Sequence, residues 1–144
     1  MRYWDASALV PLIVSEPTTD EARAWLYDDP AIVTWAWSSV EIGSAIERKV
    51  RDGFVNRRAR RDALDRLDEL ADSWDEVTDI SAVRRGARVL LARHQLRAAD
   101  AGQLAAALLV VGETGTALPF ACLDERLVFA ADVEGLDVWT IETW

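Results

Sequence analysis

The chain has 144 residues, enough for one ordinary domain spanning 1–144 and too few for two, and its 51% hydrophobic and 28% charged content belongs to a globular protein. A lone cysteine, Cys122, and a lone histidine, His94, exclude an intrachain disulfide, a His/Cys zinc site and two-histidine nuclease chemistry. No apolar run reaches the roughly 18 residues of a membrane span, and Asp5 falls where a signal peptide needs an apolar stretch, so a soluble, cytoplasmic protein with no membrane partner is expected.

In chain order, Arg2 to Asp5 is short, aromatic and β-prone, and Ser7 precedes the apolar pattern Leu9, Val10, Leu12, Ile13 of a first helix. Pro17, Thr18 and Thr19 punctuate the chain before a helix through Glu21, Ala22, Trp25 and Leu26, and Ala31 to Trp35 reads as a second strand. Val40 to Val50 is helical up to Gly53, and Arg57 to Leu70 continues as a charged helix with Leu64, Leu67 and Leu70 on one side, giving a helical hairpin. Glu76 to Ile80 reads as a strand, Val83 to Leu91 as a helix, and the alanine-rich Ala99 to Val111 as a helix buried against the sheet. Leu118 to Leu123 is the next strand, Asp124 opens a short helix to about Ala131, and Val138 to Ile141 is the last strand. Strands alternating with helices in this way predict an α/β three-layer sandwich with a mostly parallel central sheet and helices on both faces.

The net charge of −9 argues against broad attraction to nucleic acid, yet Arg48, Lys49, Arg51, Arg57, Arg58, Arg60 and Arg61 crowd one stretch against the single acid Asp52. Of these, Arg48, Arg57, Arg58, Arg60 and Arg61 are candidate RNA contacts, and a solvated helix face is the plainer account of them.

In parallel sheets the site lies outside the carboxyl ends of the strands. Asp5 and Asp124 fall there, Glu41 begins the helix after the second strand, and Asp100 begins the alanine-rich helix, so four acids separated by 36, 59 and 24 residues are expected at one edge. Each alone has a capping explanation: Asp5, Asp100 and Asp124 as helix caps, and Ser38 with Glu41 as a capping box. Capping does not require all four on one side of one sheet. Carboxylates about 4 Å apart repel by roughly 4 kcal/mol at an effective dielectric near 20, so an ionised cluster needs protons or cations. Hard oxygen donors without imidazole or thiolate suit Mg²⁺ or Mn²⁺, which activate water at a phosphate.

Ser7 is a candidate donor to a carboxylate, and Gln103, one turn after Asp100, a candidate contact to bound water; a plain cap and helix packing are their structural accounts. His94 is expected at the surface and Cys122 as a small buried residue. Among Trp4, Trp25, Trp35, Trp37, Trp74, Trp139 and Trp144, only Trp4, Trp35 and Trp37 flank the proposed edge and are candidates for stacking on bases.

Four segments together resemble the PIN-domain family, and more narrowly its VapC-type ribonuclease toxins: Tyr3 to Val10 around Asp5, Ser38 to Ile42 with Ala45 and Arg48, Leu96 to Ala101 with Leu104, Ala105 and Ala107, and Leu123 to Leu127 with Ala130, Ala131, Gly135, Leu136 and Val138. The resemblance implies a PIN-like fold and a Mg²⁺- or Mn²⁺-dependent endoribonuclease whose catalytic and metal-holding acids are Asp5, Glu41, Asp100 and Asp124. It further implies an RNA substrate and a small cognate antitoxin, with a homodimer or toxin–antitoxin hetero-oligomer as the assembly. Trp25, Leu26, Ile46 and Val50 are the expected antitoxin surface. Gln103, Cys122 and the many tryptophans depart from the family's usual residues without removing an acid. The alternative is a noncatalytic PIN-fold module that binds RNA or protein. A phosphoacceptor signalling domain is disfavoured, because the one lysine, Lys49, lies in a helix instead of on a strand.

Overall fold

A computed structural model describes residues 1–141; Trp144 lies outside the described residues. The order is β1 (Arg2–Trp4), α1 (Ala6–Ile13), α2 (Thr19–Asp28), β2 (Ile32–Trp35), α3 (Ser38–Arg51), α4 (Arg57–Ser73), β3 (Asp75–Val77), α5 (Ile80–Arg93), α6 (Ala98–Thr114), β4 (Pro119–Ala121), α7 (Glu125–Val133) and β5 (Asp137–Trp139). The strands form one sheet in the order β3-β2-β1-β4-β5. Every pairing in it is parallel.

Strand periodicity divides the core between the two faces. Tyr3, Val33 and Phe120 point toward α5, α6 and α7, where they meet Val83, Leu104 and Leu127. Trp4, Ile32 and Ala121 point the other way, onto Leu9, Leu12, Ile42, Ile46 and Leu67 of α1, α3 and α4. Each large aliphatic buried in this manner contributes roughly 1.5–3 kcal/mol. Ile46 is therefore core and not part of a docking surface, and Trp25 packs edge-on against Trp4 and Trp139. Among the described residues, no helix is long and apolar enough to cross a membrane.

Four boundaries differ from the sequence expectation for local reasons. The third strand ends at Val77 because Asp79 caps α5, its Oδ1 accepting from Ala82 N at 3.0 Å. The fourth strand is confined to Pro119–Ala121, since Leu123 N instead donates to Ser7 Oγ at 2.9 Å. The last strand is Asp137–Trp139, the three residues paired with β4. Helix α3 begins at Ser38 itself with Trp37 as its cap, so no capping box forms.

Gly102 in α6 is the one position where a missing side chain is required. A Cβ there would meet the Trp35 ring at 2.5 Å, well inside van der Waals contact. The ring lies against bare helix backbone and fixes the start of α6, with Asp100, to the end of β2.

Candidate active site

The chain leaves β1 for β2 on one side and joins β4 on the other, so the sheet order reverses beside β1. The crevice outside the carboxyl ends of β1 and β4 is where such sheets place a site. Asp5 follows β1 directly and Asp124 follows β4 after Cys122 and Leu123, as the caps of α1 and α7.

Asp5 is only 3% exposed. Its Oδ2 accepts from Ser7 N at 3.1 Å, from Ser7 Oγ at 2.5 Å and from the Cys122 thiol at 3.5 Å. Among the described residues, no hydrogen bond reaches its Oδ1. Burial pushes the Asp5 carboxyl up to about 6, opposed by the Ser7 and Cys122 hydrogen bonds and reinforced by the charge of Asp100. Burial beside Asp5 also holds Cys122 far above the ordinary thiol range, so it serves as a neutral donor.

Glu41 stands on the first turn of α3. Its Oε1 accepts from Gln103 Nε2 at 2.8 Å, and the same amide donates to Ser38 Oγ at 2.9 Å. On its other side Gln103 Oε1 accepts from Tyr3 OH at 2.7 Å. Thr34 Oγ1 completes the network, donating to Trp4 O at 2.7 Å and lying 2.6 Å from Ser38 Oγ. Partial burial pushes Glu41 up to about 7, and the nearby charges of Asp5 and Asp100 add to the rise.

Asp100 lies one turn before Gln103 on α6, with its carboxyl raised by burial and by Asp124. Asp124 donates nothing; its Oδ1 accepts from Leu127 N at 3.0 Å as the α7 cap. Asp5 and Asp124 thus each close a helix with one oxygen, and the other is left over. The four acids act on one another's charge through the chain Glu41, Asp5, Asp100, Asp124.

Ser7 fulfils its expected role as a donor to Asp5. Gln103 is fully buried, and its amide donates directly to Glu41. Tyr3 and Thr34, which support it with Ser38, have no assigned role in sequence; a phenol and a hydroxyl within apolar strands are the signal, because buried polar groups need partners. Trp4 is fully buried and offers no face to a base, Trp35 is partly buried with its ring against Gly102, and Trp37 is 53% exposed. Arg48, Arg57, Arg58 and Arg61 are exposed, while Arg60 is bound to Glu47, Nη2 to Oε1 at 2.8 Å. His94 is not a surface residue: its ring is nearly buried and bonded to Glu134.

Among the described residues, no three His, Cys, Asp or Glu side chains converge as a prebuilt cage for a metal ion. The donor set nevertheless fits a hard cation that keeps much of its water, because Mg²⁺ is commonly held by one or two carboxylates. Asp5, whose Oδ1 accepts no hydrogen bond among the described residues, and its charge-coupled neighbour Asp100 would supply such a pair.

Against solved structures, the chain is similar to PAE2754 from Pyrobaculum aerophilum, at 20% identity and a TM-score of 0.62 over 96% of this chain and 89% of that one. It is similar to FitAcB from Neisseria gonorrhoeae, at 18% identity and a TM-score of 0.63 over 96% of each chain. It also resembles FitAB bound to an IR36 DNA fragment, at 16% identity and a TM-score of 0.62 over 97% of this chain and 94% of that one. No curated protein matches the chain in sequence. At these identities the likeness establishes the fold, and the family model supplies the rest. The model of the PIN domain matches residues 2–113, a span that holds three of the four acids as well as β1, α3 and the start of α6 on which they stand, and the chain belongs to the PIN domain family.

Proposed function

We propose that this chain is a Mg²⁺- or Mn²⁺-dependent endoribonuclease and the toxin of a type II toxin–antitoxin pair. One observation carries the catalytic reading. Asp5, Glu41 and Asp124 each have one carboxylate oxygen engaged by the fold, while the other accepts no hydrogen bond among the described residues. Structural acids are expected to spend both oxygens or face solvent; these are oriented by one and left chemically available through the other.

Asp5 and Asp100 would hold the cation, with Glu41 and Asp124 completing the charge around it. When bound, the ion neutralises the acids and the phosphodiester and lowers the pKa of water. Ser7 and Cys122 keep Asp5 Oδ2 fixed, so that Oδ1 is presented in one orientation. Glu41, with its carboxyl near 7, is suited to accept the proton of the attacking water on Oε2, the oxygen that Gln103 does not occupy. Burial and the neighbouring acids hold the Tyr3 phenol protonated, so Tyr3 keeps donating to Gln103 throughout.

Attack by water and not by the ribose 2′-hydroxyl leaves 5′-phosphate and 3′-hydroxyl ends on RNA, which end-labelling and mass analysis read directly. Cyclic 2′,3′-phosphate ends would refute the mechanism. The proposed antitoxin is a small protein that inserts a lysine or arginine among the four acids, and inhibition should therefore weaken as Mg²⁺ is raised. Co-expression with the product of a small adjacent gene, followed by pull-down and a cleavage assay, tests this; a product that neither binds nor inhibits would remove the toxin assignment and leave the nuclease.

A further inference from the structure

A cavity of about 400 Å³ opens between the end of α5 and the first turns of α7, walled by Arg93, His94, Gln95, Glu125, Arg126 and Phe129. It begins where the acid cluster ends. Asp124 caps the helix that carries Arg126 and Phe129, and both Arg126 and Arg97 favour the charged form of Asp100. Phe129 is 69% exposed, so its ring has no core duty. Glu134 fixes two side chains of the wall at once, taking His94 Nε2 at 2.9 Å and Arg93 Nη1 at 3.1 Å.

Beyond Arg93 the outer face of α5 continues as Arg84, Arg85 and Arg88 around the exposed Val89. The helix Ile80–Arg93 contains no acid. Arg84, Arg85 and Arg88 form no ion pair among the described residues. In a chain of net charge −9, a strip of unanswered arginines leading to a carboxylate cluster is not what composition supplies. On α4, Arg57, Arg58 and Arg61 likewise form no ion pair among the described residues, but their helix also carries Asp62, Asp65, Asp68, Glu69 and Asp72, and Arg60 is held by Glu47.

We propose that single-stranded RNA reaches the acid cluster along α5 and α7, its phosphates met by Arg88, Arg93 and Arg126 and one base stacked on Phe129. This rests on the nuclease reading and moves the RNA track from α3 and α4 to the opposite face of the sheet. Guanidinium groups pair with phosphates, and an exposed ring beside them accepts any base, which together describe a single-strand groove. A segment carrying unpaired bases would enter with its backbone neutralised just before it meets the repelling acids.

The test uses the full chain carrying Asp5→Asn, expected to leave RNA uncut in chelator, and follows fluorescence anisotropy of a labelled single-stranded RNA of mixed sequence across a salt series. Replacing Arg88, Arg93 and Arg126 together with Gln should lower the slope of log affinity against log salt by about two. Arg84→Gln with Arg88→Gln, neither residue being ion-paired, should lower it by about one and guards against a loss of fold at the Glu134 pair. Phe129→Ala should weaken binding about tenfold with the slope unchanged. Arg57→Gln with Arg58→Gln and Arg61→Gln should change neither quantity.

The opposite pattern, in which only the α4 variant lowers the slope, overturns the proposal and leaves the nuclease standing. So does an unchanged affinity accompanied by a fall from dimer to monomer mass in light scattering, which assigns the strip to a second copy of the chain. If the unsubstituted chain neither binds nor cleaves RNA with Mg²⁺ or Mn²⁺, the nuclease reading falls with it.

Discussion

Asp5→Asn is expected to reduce RNA cleavage about a thousandfold or more and, in the same protein, to raise thermal stability in chelator at alkaline pH. The first effect follows from removing the anionic oxygen that would hold the cation, a contribution of several kcal/mol to the transition state. The second follows from the fold. An asparagine oxygen still accepts from Ser7, so the α1 cap survives the change. What disappears is a buried charge whose carboxyl is pushed up to about 6.

Asp5 and Glu41 both titrate above the ordinary carboxyl range, at about 6 and about 7, so the native state keeps protons that the unfolded chain has already released. Stability of the metal-free protein therefore falls as pH rises from the normal carboxyl range through those values, and is lowest once both are ionised. Each pK unit is worth about 1.4 kcal/mol, so relieving Asp5 should return on the order of 2–3 kcal/mol. Loss of the charge's attraction to the α1 N-terminus is the opposing effect, and at about 0.3–1 kcal/mol it is smaller. Thermal melts of the parent and the variant across pH, in chelator, measure the difference. A variant less stable than the parent at alkaline pH would make Asp5 a structural acid.

Gln103→Leu is expected to lower activity about a hundredfold and to destabilise the protein by roughly 1–3 kcal/mol, because the buried Tyr3 hydroxyl loses its acceptor and Ser38 a donor. The more telling result lies in the pH profile. Gln103 lowers the Glu41 carboxyl by donating to it, so its loss raises Glu41 further above 7 and moves the acid limb of the pH–rate curve to higher pH. A purely structural glutamine would reduce the amount of active protein without moving that limb. An unmoved limb would remove Glu41 from the proton-transfer role.

The alternation of strands and helices, the parallel sheet and the buried alanine-rich helix were legible in sequence because each leaves a strong periodic signature. The charge coupling among Asp5, Glu41, Asp100 and Asp124 has a topological reason that is legible in sequence: in a parallel sheet every strand end of the same polarity faces the same edge. What surrounds the acids was not. Gln103 sits amid alanines and leucines, and nothing in a helical pattern tells that its amide bridges β1 to α3 across 100 residues of chain from Tyr3. Ser38 and Glu41 matched a capping box by spacing, yet the helix starts one residue too early for it, and both side chains turn inward to Gln103. Charge in space is not legible in the same way: within the dense run on α3 and α4 Arg60 is paired with Glu47, whereas Arg84, Arg85 and Arg88 of the sparser α5 run form no ion pair among the described residues.

Chemical action of these acids through a divalent cation underlies the proposed nuclease. It is tested most directly by following cleavage of a labelled single-stranded RNA by the purified chain, first in chelator and then across a titration of Mg²⁺ or Mn²⁺, with Asp5→Asn in parallel. No cleavage is expected in chelator, with a saturable rise with metal in the parent and none in the variant. Undiminished cleavage in chelator, or equal cleavage by Asp5→Asn, would contradict it.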